Sequence, residues 1–126
     1  MNIVSTCNAP SAIGPYSQAV SVGNLLFTSG QIALRPDGSF VEGDVSAQIH
    51  QVLQNLQAVL EAGGSCVSKV VKTTIFLSTM DDFQVINAIY GDFFGEHKPA
   101  RSTIAVKGLP RNALIEIEAI ALIEPK

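Results

Sequence analysis

The chain has 126 residues, 47% of them hydrophobic and only 15% charged, with a net charge of −3 and a pI near 5.2. That length fits one domain over 1–126, and the eight scattered Lys and Arg form no run that could neutralise several phosphates, which argues against a nucleic-acid-binding surface. No segment approaches the roughly 20 apolar residues of a membrane span, and Met1 to Ser5 lacks the basic and apolar regions of a signal peptide, so a cytoplasmic protein is expected.

A small domain has much surface and little interior. Hiding this much apolar material within one copy is difficult, so an oligomer is expected over a monomer. Cys7 and Cys66 are far apart and no CxxC or HxxxH spacing accompanies them, so free thiols and no structural metal site are expected.

In chain order, Ser17 to Val22 and Leu25 to Ser29 are strand-like runs separated by Gly23-Asn24, the pattern of a β-hairpin. Pro36-Asp37-Gly38-Ser39 is a second turn. The period then changes. Val45, Ile49, Val52, Leu53, Leu56, Val59 and Leu60 fall at offsets of three and four, one stripe of an α-helix. Asp44 can cap its start and Gly63-Gly64 its end, with Gln48, Gln51, Asn55 and Glu61 expected on its solvent face.

Val70 to Leu77 is β-branched and reads as a strand. Ser78, Thr79, Asp81 and Asp82 then offer a cap and an acidic first turn to a second helix carrying Phe83, Ile86, Tyr90, Phe93 and Phe94, bounded by Gly95 and Pro99. Its aromatic stripe is read as core. Arg101 to Lys107 and Ile115 to Ile123 alternate as strands, the second with Ile115, Ile117, Ala119, Ala121 and Ile123 on one face. The sum is an α+β sandwich with two helices on one face of a mixed β-sheet, whose other face stays partly apolar and needs a partner.

Few residues suggest chemistry. Glu118 shares a strand face with Glu116 and Ile120, then Leu114 and Leu122. A carboxylate among apolar side chains is costly unless paired or functional, and desolvation there would raise its pKa toward proton transfer. A structural ion pair, or simple exposure to water, is the commoner fate of such a carboxylate. Arg101 follows Pro99, and its planar fork matches a small organic acid, although most arginines so placed are surface residues. Gly30 follows Ser29 at a strand end, where backbone can approach a ligand, and Gly14-Pro15-Tyr16 is a rigid turn bearing an amphipathic ring. His50 and His97 fit structural roles on the two helices.

Five segments stand in a recognisable order: Ala12-Ile13-Gly14-Pro15-Tyr16-Ser17-Gln18-Ala19, Thr28-Ser29-Gly30-Gln31-Ile32, Val71-Lys72-Thr73-Thr74-Ile75-Phe76-Leu77, Pro99-Ala100-Arg101-Ser102-Thr103, and Ile115-Glu116-Ile117-Glu118-Ala119-Ile120-Ala121. Over nearly its whole length the chain resembles the Rid (reactive intermediate deaminase) or YjgF family, and within it the RidA-like subgroup.

The resemblance implies a chorismate-mutase-like fold and a homotrimer of barrel-like assembly with active sites in intersubunit clefts. It implies hydrolysis of 2-iminobutanoate and 2-iminopropanoate to 2-keto acids and ammonia, without metal or organic cofactor. It also implies a functional link, requiring no stable contact, to the pyridoxal-phosphate-dependent dehydratases that release such imines. Arg101 would hold the substrate carboxylate and Glu118 would move protons. Tyr16, Ser29, Gly30, Asn87 and Thr103 would complete the substrate site.

Two departures stand out. Thr103 occupies a position that commonly holds Cys in the family, which points to non-covalent catalysis. The His97 to Pro99 connection is short and omits an aromatic residue common before the Pro. An endoribonuclease-type translation inhibitor and a non-catalytic trimer that binds 2-keto acids are the alternatives. The acidic charge argues against the first, and Glu118 discriminates the second, since binding a keto acid needs Arg101 whereas turnover also needs the carboxylate.

Overall fold

The computed structural model describes residues 1–123. Six strands and two helices run in the order β1 (Asn2–Val4), β2 (Ala19–Val22), β3 (Leu25–Thr28), α1 (Val45–Ala62), β4 (Val70–Leu77), α2 (Phe83–Phe94), β5 (Ala100–Ala105) and β6 (Ile115–Leu122). The strands form one mixed sheet of order β1-β2-β3-β6-β4-β5. Only β4 and β5, joined through α2, are parallel. The expected α+β layering, with two helices on a mixed sheet, is what the chain adopts.

Local chemistry explains most boundaries. Gly23, with φ of +60°, turns β2 into β3 so that Val22 faces Leu25. Asp44 caps α1 through its side chain, which accepts from the Ala47 N–H at 2.9 Å. Thr79 likewise accepts from the Asp81 N–H, but this caps a short 3-10 turn over Met80–Asp82, so α2 begins only at Phe83. Gly95, at φ +64°, ends α2. β1 has no counterpart in the sequence reading. It is three residues long and exists by pairing with β2, Val4 opposite Ala19.

The core lies between the helices and one sheet face. Ile115, Ile117, Ala119 and Ala121 of β6 alternate inward with Val70, Thr73, Ile75 and Leu77 of β4, against Ile49, Val52, Leu56, Val59 and Leu60 of α1. Each fully buried aliphatic side chain here contributes about 1.5–3 kcal/mol relative to exposure.

Two polar residues of α1 read as solvent-facing are in fact buried. Asn55 is 1% exposed and donates to the carbonyls of Ile32 and Leu34, while Gln48 is 3% exposed and accepts from the Leu114 N–H. Both satisfy loop backbone that no strand pairs. They thereby pin the loop after β3 and the start of β6.

The opposite sheet face is open. Val20, Leu25, Phe27 and Ile120 are half-buried there, and Val22, Ile104 and Leu122 are exposed, Val22 by 52%. This is the contiguous apolar surface that composition foreshadowed.

Candidate functional site

Two cavities hold most of the residues singled out from the sequence, and they share no lining residue. One, about 450 Å³, is bounded by Arg101 and Asn87 with Tyr90, Gly91, Phe94 and Pro99 among its walls. The other, about 300 Å³, is bounded by Tyr16, Gly30 and Glu116 with Gln18, Gln31 and Arg111.

Register decides the direction of Arg101. It stands beside Thr73 of β4, which stands beside Ala119 of β6, and both of those side chains are buried on the helix face. Arg101 on the outermost strand therefore turns toward α2. Its Nη1 donates to Asn87 Oδ1 at 2.7 Å, and its guanidinium carbon lies 5.0 Å from the Tyr90 ring centroid and 5.6 Å from that of Phe83. Tyr90 is itself fixed, its hydroxyl 2.6 Å from Thr73 Oγ1, and burial pushes its phenol pKa up, so the ring stays neutral beneath the cation. Among the described residues Asn87 is the one hydrogen-bond partner of the Arg101 side chain. The rest of the fork is available to a carboxylate.

Thr103 lies on the same face two residues on, beside Ile75, and its Oγ1 is buried with no hydrogen-bond partner among the described residues.

The second cavity is built by backbone. After β3, Gln31 pairs with Ile117: the Gln31 N–H donates to the Ile117 carbonyl at 2.8 Å, and the Ile117 N–H returns a bond at 3.1 Å. This lays Gly30 against the Glu116 side chain so tightly that a Cβ at Gly30 would collide with the carboxylate. The Ser29 hydroxyl donates to the Ser17 carbonyl at 2.5 Å. Gln18, 4% exposed, holds the N-terminal segment in place, accepting from the Thr6 N–H and donating to the carbonyl of Pro10. Tyr16 is 53% exposed at the mouth.

Glu116 is half-buried and makes no hydrogen bond or ion pair among the described residues. Burial, and then the neighbouring Glu118 charge, raise its pKa above the ordinary glutamate range. Glu118, the carboxylate favoured by the sequence reading, lies elsewhere, in a shallow pocket of about 50 Å³ with Lys72, Thr74, Ala119 and Ile120.

The sequence reading also passed over Arg111. It lines the Glu116 cavity, stacks over Phe40 at 5.4 Å, and occupies a left-handed backbone conformation at φ +60°, as does Asn112 at +55°. No glycine occupies either position; Pro110 and Asn112 are the local signals of a turn, but they do not point to the left-handed Arg111 between them. His97 is structural: its Nε2 donates to the Val70 carbonyl at 2.6 Å. Among the described residues no cluster of three or more His, Cys, Asp or Glu could hold a metal ion.

Comparison with known proteins places this geometry. Residues 6–123 match the family model described as Endoribonuclease L-PSP. The chain is 49% identical over 122 residues to the 2-iminobutanoate/2-iminopropanoate deaminase of Escherichia coli K12, covering 94% of this chain and 95% of that one. The chain belongs to the Rid/YjgF family. A solved Rid-family structure from Yersinia pestis is 48% identical with a TM-score of 0.95, covering 97% of this chain and 98% of that one. The structure of Escherichia coli TdcF with bound serine is 41% identical with a TM-score of 0.93, covering 98% of this chain and all of the other. Other relatives in this family carry the RutC name. Among the described residues no helix is long and apolar enough to cross a membrane.

Proposed function

We propose that the protein is a 2-imino acid deaminase of the cytoplasm, acting on 2-iminobutanoate and 2-iminopropanoate as a homotrimer. The observation that carries this reading is the contrast between a guanidinium held ready by its neighbours and a carboxylate left unpartnered beside Gly30. Arg101 takes the helix face of its chain, and Glu116 takes the opposite parity of β6. A substrate that needs both is served by setting the Arg101 cleft of one copy against the Glu116 cavity of the next. The exposed apolar sheet face supplies a surface for that association. The serine bound by TdcF, an amino acid of similar size, supports a small carboxylate as ligand.

The chemistry needs positioning more than force. Arg101 grips the substrate carboxylate with two parallel hydrogen bonds. Glu116 takes a proton from water as the water oxygen bonds to the iminium carbon, leaving a carbinolamine. It returns that proton to the amine nitrogen, the C–N bond breaks as the carbonyl forms, and the hydroxyl proton passes to the departing ammonia, which leaves as ammonium. Tyr16 and Gly30 wall the reacting carbon. Thr103 forms no covalent bond, since water is the nucleophile. Dehydratases that release imines would supply the substrate.

The test is a coupled assay in which threonine dehydratase generates 2-iminobutanoate and keto-acid release is followed with and without the protein. Acceleration is expected, from a species whose light-scattering mass is about three times the 13.3 kDa chain. A monomer at micromolar concentration, or no acceleration, would overturn the reading. The family description names an endoribonuclease. RNA cleavage that purifies with the protein and vanishes in Arg101→Ala would replace the deaminase reading.

A further inference from the structure

The cleft beside Arg101 is larger than a three- or four-carbon acid requires. At about 450 Å³ it falls in the range of about 300–1,000 Å³ that accommodates drug-sized ligands. Its floor is unusual. Asn87, Gly91 and Gly95 follow one another at i, i+4 and i+8 along α2, so a hydrogen-bonding side chain beside the guanidinium gives way to two residues with none. Gly95 is the C-cap and its φ of +64° calls for glycine. Gly91 has no such reason. It lies inside the helix, where glycine is unfavourable, and a Cβ there would meet nothing within 4 Å. No packing partner demands the missing side chain. What Gly91 preserves is open space.

That space is bordered by Tyr90, Phe94 and Pro99 and begins at Arg101. We infer that it is a side-chain subsite for imino acids with extended apolar or aromatic side chains, and that Gly91 is the residue that sets its length. The inference rests on the deaminase reading: with the substrate carboxylate on Arg101, the side chain of a larger substrate runs along the bare stripe of α2. Lys98 at the rim leaves an acidic side chain possible in charge terms, but the ring and proline walls favour an apolar one.

The experiment compares imines made in situ by an amino-acid oxidase from alanine and from phenylalanine. Keto-acid release is measured on the intact oligomer for wild type, Gly91→Ala and Gly91→Leu. Wild type is expected to hydrolyse both. Gly91→Leu should lower the phenylalanine-to-alanine ratio of kcat/KM by at least about tenfold, with Gly91→Ala intermediate, the discrimination expected when a few methylenes fill a pocket. An unchanged ratio in Gly91→Leu, including a parallel loss on both substrates, overturns the subsite. So does a wild type that hydrolyses the small imine and ignores the large one. A wild type that hydrolyses neither overturns the deaminase reading itself, a distinguishable failure.

Discussion

The Arg101 cleft and the Glu116 cavity solve opposite problems. Arg101 is over-determined: one hydrogen bond to Asn87, two aromatic faces, and a tyrosine locked in turn to Thr73. Glu116 is under-determined, half-buried with no partner among the described residues and with Gly30 keeping its flank clear. A group that binds is best fixed before the ligand arrives, because ordering it afterwards subtracts from affinity. A group that shuttles a proton must be reachable and must not be neutralised by a permanent counter-charge. The difference teaches that one small fold can keep a tightly held guanidinium and an unpartnered, half-buried carboxylate apart on two faces of one sheet, the arrangement the proposed clamp and base require.

The sharpest way to break the comparison is to remove the clamp. Arg101→Ala should lower kcat/KM by about 10²–10³-fold and weaken 2-ketobutyrate binding in calorimetry, as expected when a charge-assisted pair is truncated. Arg101→Lys restores charge without the planar fork and should recover only part of the loss. Wild-type keto-acid affinity in Arg101→Ala would remove Arg101 from the site.

Gly30→Ala attacks the other region. The new Cβ displaces a flexible side chain end, not backbone, so the protein should fold while Glu116 is pushed aside. A loss of about tenfold or more in kcat is expected, with keto-acid binding much less affected. If kcat is unchanged, the close approach of Gly30 to Glu116 has no role in turnover.

The smallest effect concerns Thr103. Its buried hydroxyl makes no hydrogen bond among the described residues, so Thr103→Val, which keeps the β-branched shape, should stabilise the fold by about 1 kcal/mol. Chemical denaturation measures this. Turnover should stay within about tenfold of wild type, equivalent to about 1.4 kcal/mol. A much larger loss would show that the hydroxyl is used on substrate.

How much of this was legible in the sequence depends on range. α1, β4 and the alternation of β6 follow from periodicity, because their apolar faces meet one continuous core. β1 did not, since three residues carry no period and their pairing is with β2, where Val4 lies opposite Ala19 and Asn2 opposite Ser21. Gln48 and Asn55 misled because a buried amide facing loop backbone has the same letter as one facing water. Arg101 and Asn87 could be suspected as types, but their meeting across α2 and β5 is tertiary. The two carboxylates were the hardest. Glu116 and Glu118 share a face of one strand, and nothing local separates them; the Gln31–Ile117 pairing, from a loop far away in sequence, brings Gly30 to one of them alone.

The measurement that bears most directly on the site is therefore Glu116→Gln beside Glu118→Gln in the coupled imine assay, as a function of pH. The base must be deprotonated, so turnover should fall as pH drops through the Glu116 pKa, which burial lifts above the ordinary glutamate range. Glu116→Gln should lose about 10²–10⁴-fold in kcat and lose the acidic limb, while still binding 2-ketobutyrate. Glu118→Gln should keep turnover within about tenfold and move the acidic limb to lower pH, because a like charge beside Glu116 is gone. Normal turnover in Glu116→Gln together with its collapse in Glu118→Gln would contradict the assignment and transfer the proton chemistry to Glu118.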